Sequence, residues 1–332
     1  MKAIFPLTLM GLTALGLTAC GSDSDTAVPV NQTAVFSFAV SDAPVTEAAK
    51  VMVCFSGIEL VGNGLSPQRF TIGSGQFTSD ANDECRNLSG SVVPNTRGVD
   101  LLTLQGATAE ALISAATVPA GSYGQLRLDI AAGSYVEKLD GSRVPLSVPS
   151  NQLRLQGLVL SAGGTFNYTL EFDLRKALVD ANPSGNNNPA TPDYLLKPTG
   201  LRLVDNSTVG HLQGEVSEGF LLNNQCTVNP ADERVAVASI YLYSGADRPL
   251  LELSDNGGNN TYQPYASTAV FFDNSQTRYS YRLGYIDAGT YTVAISCDTQ
   301  DDPEQPDDIT FISAQNVTIS SSSQPQTVNF GD

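Results

Sequence analysis

The chain has 332 residues, 41% of them hydrophobic, so it can bury more than one core, and its length suggests two domains. Its 17 basic residues face 34 acidic ones, a formal net charge of −17. Such a surface repels phosphate backbones and excludes nucleic acid as a partner class, while suiting divalent cations or basic partners.

The N-terminus reads as a signal peptide over residues 1–19. Lys2 supplies the positive charge, and Ala3 to Ala19 are apolar, small or hydroxylated, too short a stretch for a comfortable membrane span. It ends in Leu17-Thr18-Ala19-Cys20-Gly21, which resembles the bacterial lipobox. The resemblance implies a thioether-linked diacylglycerol on Cys20, cleavage before it and acylation of the new amino group. Several acyl chains at about 0.8 kcal/mol per buried methylene anchor a protein stably. Gly21 after the cysteine favours the outer membrane by the same resemblance. The competing reading is an ordinary secretory leader with Cys20 as a spare thiol. Losing Lys2 with the leader leaves 16 basic residues against 34 acidic, a net charge of −18.

Setting Cys20 aside, Cys54, Cys85, Cys226 and Cys297 remain. An even number in an exported chain argues for disulfides with three possible pairings, against buried free thiols. Proximity in sequence suggests Cys54–Cys85 and Cys226–Cys297, one bridge per half.

Residues 20–32 are polar, acidic and Pro-containing, the lipidated cysteine and a flexible tether. Residues 33–207 are expected to be one β-sandwich. Phe36, Phe38 and Val40 alternate with small residues, a period of two with one face inward. Similar runs cover 50–55, 122–130, 153–160, 165–173 and 195–204, punctuated by Asn63-Gly64, Asp140-Gly141 and Gly163-Gly164. The Ala-rich segment Ala107–Ala116 predicts the one short helix.

A resemblance runs through this half. Ser41-Asp42-Ala43-Pro44, Asp100-Leu101-Leu102, Val118-Pro119-Ala120-Gly121-Ser122-Tyr123, Phe172-Asp173-Leu174-Arg175-Lys176, Leu196-Lys197-Pro198 and Arg202-Leu203-Val204-Asp205 occur in that order. Together they resemble domain-of-unknown-function family 4382 over residues ~33–206, common in bacterial envelope lipoproteins. The resemblance implies a secreted β-sandwich module with no established activity. The insertions around Cys85 and from Asn182 to Pro192 are this chain's own.

Residues 208–332 are expected to form a second, smaller sandwich. Val235–Tyr243 and Tyr279–Tyr285 alternate, and Ile286-Asp287-Ala288-Gly289-Thr290-Tyr291-Thr292-Val293 is a turn feeding a strand. That segment resembles prealbumin-like repeats of adhesins and carboxypeptidase regulatory domains. The glycine would take the turn's positive φ while Tyr291 and Val293 pack inward.

Catalytic constellations are sparse, and no catalytic residue is assigned. The lone His211 lies between the expected domains and reads as a hinge or surface residue, and His-based zinc sites need more histidines than the chain has. No Gly-rich phosphate loop opens a helix. A pair among the 34 acids could still run glycoside hydrolysis. Residues 298–308 gather six carboxylates, and Asp298, Asp301, Asp302, Asp307 and Asp308 form the candidate calcium loop. It reads equally as a solvated surface loop, and Asp255–Asn260 as a hairpin loop. Asp173 with Arg175 and Lys176 reads as a structural charge network, with a ligand pocket as the alternative. The eight tyrosines at 241, 243, 262, 265, 279, 281, 285 and 291 suggest an aromatic face for glycan or protein, half of it exposed. The expected function is therefore a non-catalytic envelope lipoprotein presenting a binding or adhesion surface, its partners the membrane, a glycan or an envelope protein. Its rivals are a carboxylate-based carbohydrate-active enzyme and a structural accessory subunit of a surface complex.

Overall fold

Phe36, Phe38 and Val40 are all fully buried on the first strand, as their period of two requires. The computed structural model describes residues 32–43, 48–182, 193–300, 303–305 and 309–331. The leader, Cys20 and most of the tether lie outside the described residues.

The first half holds β1 (Thr33–Ala43), β2 (Ala48–Gly62), β3 (Gln68–Thr71), β4 (Arg97–Asp100), β5 (Glu110–Pro119), β6 (Gly121–Ile130), β7 (Tyr135–Lys138), β8 (Arg143–Ser147), β9 (Gln152–Leu160) and β10 (Thr165–Asp173). The one-turn helix α1 (Leu174–Ala177) follows, then β11 (Leu178–Asp180), β12 (Tyr194–Leu196) and β13 (Leu201–Asp205). A four-stranded sheet, β13-β10-β1-β5, faces a nine-stranded one ordered β11-β12-β8-β7-β2-β6-β9, with β3 and β4 paired to β2. One core lies between them. Phe36, Phe38, Leu170 and Phe172 of the smaller sheet meet Phe55, Ile58, Leu126 and Leu128 of the larger. The result is an all-β layered architecture, as the alternation predicts. Gly64, Gly141 and Gly163, at turns marked in the sequence, take φ of +85°, +84° and +72°, where a Cβ would be strained.

The helix expected over Ala107–Ala116 is overturned. Glu110–Pro119 is strand β5, antiparallel to β1, and the only α-helix described in this half is α1. Leu112, Ile113, Ala116 and Val118 are buried, and the pairing with β1 shifts register where Ala115 takes φ +51°. Alanine's helix preference is worth only tenths of a kcal/mol per residue, less than burying that apolar set on a sheet.

The second half holds β14 (Val209–Val216), α2 (Glu218–Asn223), β15 (Ala236–Ser244), β16 (Ala266–Asp273), β17 (Arg278–Asp287), β18 (Gly289–Ser296), β19 (Phe311–Ile319) and β20 (Gln326–Thr327). They form one seven-stranded sheet ordered β19-β18-β15-β16-β17-β14-β20. Just past β19, Ser322 N donates to Val209 O at 3.1 Å, which draws the two flanks together. Leu212, Ile240, Leu242, Leu283 and Val293 fill the core so enclosed. Ser217 caps α2, its Oγ accepting from Phe220 N.

Both disulfides expected from spacing are present, Cys54–Cys85 and Cys226–Cys297, with Cα–Cα distances of 5.8 and 5.0 Å. The first pins the loop after β3 to β2. Gly98 is required beside it, since a Cβ there would crowd Cys85 Sγ at 3.1 Å.

Candidate functional site

The alternation along β10 has two buried faces. Leu170 and Phe172 enter the first core, while Thr169, Glu171 and Asp173 lie on the opposite side, buried where the two halves of the chain meet. Asp173 accepts from Ser267 of β16 twice, from the backbone N at 2.9 Å and from Oγ at 3.2 Å. Arg175 Nη2 donates to Tyr241 Oη at 2.8 Å, and its Nη1 to Thr299 O at 3.2 Å. Tyr285 Oη donates to Ala107 O at 3.1 Å, and Arg202 Nη1 to Tyr285 O at 3.2 Å. Asp173 and Arg175 thus form the structural network expected of them, and it ties β10 and α1 to the second sheet. Replacing Arg175 with Met removes a buried charge-assisted pair of bonds. Stability should fall by about 2 kcal/mol or more, read as a lower urea midpoint.

Glu171 stands opposite Arg202 across the β10–β13 pair, and neither of its oxygens makes a hydrogen bond of good geometry. Burial pushes its carboxyl up to about 8, against the pull of Arg202. Asp173 is also raised by burial, partly offset by Arg202 and by the Ser267 N–H. Asp42 is held well above the usual range by burial and then by Glu171 and Asp173. All three acids are fully enclosed, which favours their neutral forms and keeps them from any solvent-borne substrate.

Arg202 leads outward from this cluster. Its guanidinium lies over the Tyr265 ring, 4.6 Å from the centroid. Tyr265 Oη donates to Asp287 Oδ2 at 3.0 Å and accepts from Asp287 N at 3.0 Å. Above them a cleft of about 380 Å³ opens, lined also by Arg154 and Gln156 of β9 and by Leu203. Open clefts with a few fixed polar groups on rigid strands are the usual form of binding sites. A second cleft of about 370 Å³ runs beside Asp100, Leu102, Glu233, Phe271 and Asp273.

Other expectations resolve differently. His211 is buried on β14, neither hinge nor surface. Its Nδ1 accepts from Tyr285 N at 3.3 Å, its ring meets Tyr285 edge-on, and burial lowers its pKa. The expected half-exposed tyrosine face is overturned. Tyr241, Tyr243, Tyr279, Tyr281, Tyr285 and Tyr291 are all buried, and only Tyr262 and Tyr265 are partly open. Strand β15 is covered on both sides, because Leu253 and Phe311 close over Tyr241 and Tyr243. The hydroxyls answer carbonyls, as Tyr243 does Ser254 O and Tyr281 does Val328 O, both at 2.6 Å.

Asp301, Asp302, Asp307 and Asp308 of the candidate calcium loop lie outside the described residues. Asp298 is described, and its Oδ2 accepts from Thr310 N at 3.1 Å. Among the described residues no three His, Cys, Asp or Glu side chains gather to hold a metal. The Asp255–Asn260 segment is not a simple hairpin loop but part of the longer connection, residues 245–265, between β15 and β16. Asp255 and Asn256 are buried in it, and Asn256 Nδ2 donates to Ser267 Oγ at 3.1 Å.

Three of the motifs in the first half converge here. Asp42, Asp173, Arg175 and Arg202, distant in sequence, meet at one junction. The family model described as "Domain of unknown function (DUF4382)" matches residues 33–198, half of the chain, and the chain belongs to that family. No curated protein matches the chain. Among solved structures it is similar to a leucine-rich repeat protein from Bacteroides thetaiotaomicron, at 11% identity and a TM-score of 0.17. That similarity covers 91% of this chain and 27% of the other, too weak in score to carry any argument.

Proposed function

We propose that the protein is a non-catalytic lipoprotein of the bacterial outer membrane, anchored through lipid on Cys20, that presents a binding surface to a glycan or an envelope protein. One observation carries the reading: the open cleft where Arg154, Gln156, Arg202 and Tyr265 stand on strands or strand-flanking backbone. The leader ending in Leu17-Thr18-Ala19-Cys20 supports the address, and the acidic surface supports a solvated exterior without nucleic acid. The second half is read as a prealbumin-like module, supported by Tyr291 and Val293 packing inward, although Gly289 begins β18 without the positive φ expected of it. Calcium stays the candidate ion for the 298–308 loop, supported by its carboxylate density alone. The test is retention of envelope polysaccharide or protein on the immobilised chain lacking its leader. Saturable retention is expected, and a chain that retains neither class overturns the reading.

A further inference from the structure

The outer face of the nine-stranded sheet carries charges in direct register. Glu59 on β2 stands between Arg69 on β3 and Arg127 on β6, and Arg127 stands opposite Arg154 on β9. Three of these four charges have opposite partners. Arg69 pairs with Asp129 at 2.5 Å, and Arg127 reaches Glu59 at 3.3 Å with Gln125 at 2.6 Å. Arg154 is the exception. Its Nε donates to the neutral Gln152 Oε1 at 3.2 Å, and among the described residues no carboxylate lies within ion-pair distance of it.

Two arginines placed directly opposite each other weaken a strand pair. A chain with net charge −17 holds many acids, yet none among the described residues is placed to relieve this contact. The unpaired guanidinium stands on the outermost strand, β9, and borders the cleft that Arg202, Gln156 and Tyr265 also line. Arg202 is fixed there by Tyr285 O and the Tyr265 ring. Glu171, its cross-strand neighbour, is pushed up to about 8 by burial, so it offsets little of the Arg202 charge at neutral pH. Asp287 also lines the cleft, but its Oδ2 already accepts from Tyr265.

We propose that Arg154, at the mouth of this cleft, binds an anionic group, a carboxylate or a phosphate, carried by the cleft's ligand, while Arg202, whose Nε and Nη2 are buried, adds positive charge beneath it. The proposal rests on the binding reading above and names the chemistry it selects. Guanidinium forks match both oxyanions in geometry and charge.

The experiment is calorimetric titration of the leaderless chain, at low salt, with inorganic phosphate, with glucuronate and with neutral glucose. One or both anions should bind, glucose should not, and added salt should weaken the binding. A preference for phosphate points to a phosphorylated headgroup, and a preference for glucuronate to an acidic glycan. The Arg154→Glu variant should bind at least tenfold more weakly while its unfolding midpoint rises, because Glu opposite Arg127 turns repulsion into attraction. Arg154→Gln should also lose binding, with little change in midpoint. Failure of both anions to bind, or equal binding by Arg154→Glu, overturns the site. Uptake of a neutral glycan without any anion response would overturn this site alone and leave the binding module standing.

Discussion

Replacing Glu171 with Gln should stabilise the protein at pH 8 and flatten its stability between pH 4.5 and 8. The unfolded chain releases the Glu171 proton near the ordinary value of 4.5, whereas the native state holds it up to about 8. Between those values the unfolded state binds fewer protons, so native stability falls as pH rises. It is fully present below 4.5 and lost by the time pH reaches about 8. At about 1.4 kcal/mol per pH unit, the loss approaches roughly 5 kcal/mol, an upper figure because relaxation and water entry reduce it. Gln keeps the volume and stays neutral throughout. Urea unfolding of both proteins at pH 5 and pH 8 measures the difference directly. Equal pH dependence in the two proteins would contradict a protonated Glu171 at the junction.

Removing the Cys226–Cys297 bridge as a double Ser variant should cost about 4 kcal/mol. The bridge spans 71 residues, and in the chain-entropy model the stabilisation grows with the logarithm of the loop it closes. It ties the segment just after α2 to the end of β18 and packs against the second core. The Cys54–Cys85 bridge spans 31 residues, so its loss should cost less, about 3.5 kcal/mol. Ranking the two variants by thermal midpoint checks the order. A larger loss from the shorter loop would show that the native state, not the unfolded chain, sets the effect.

Much of the fold was legible in the sequence because strands announce themselves by period two. The runs at 122–130, 153–160 and 165–173 fall within a residue of the observed β6, β9 and β10. The disulfides were legible from parity and spacing. Ala107–Ala116 misled because alanine's preference is weak and β1 offered that segment a partner. The tyrosines misled for a different reason. Alternation shows that a strand has two faces, but not that Leu253 and Phe311 will cover the second one.

The junction was partly legible. Asp173 and Arg175 drew attention as neighbouring charges in an apolar run. Glu171 did not, because its pattern fits the solvent face of an ordinary amphipathic strand. Only the second sheet packed over β10 makes that face an interior. The cleft was illegible for a similar reason. Arg154 faces Arg127 only through the β6–β9 register, and Arg202 reaches Tyr265 only across the junction. No spacing along the chain encodes either meeting.

The most direct measurement incubates the leaderless chain with envelope polysaccharide and reads two signals from one sample, bound polysaccharide and newly formed reducing ends. The account predicts saturable binding that Arg154→Glu weakens, with no reducing ends above a protein-free control. Reducing ends that accumulate with time and with protein concentration would contradict it, and would make the carboxylates of the molecule catalytic.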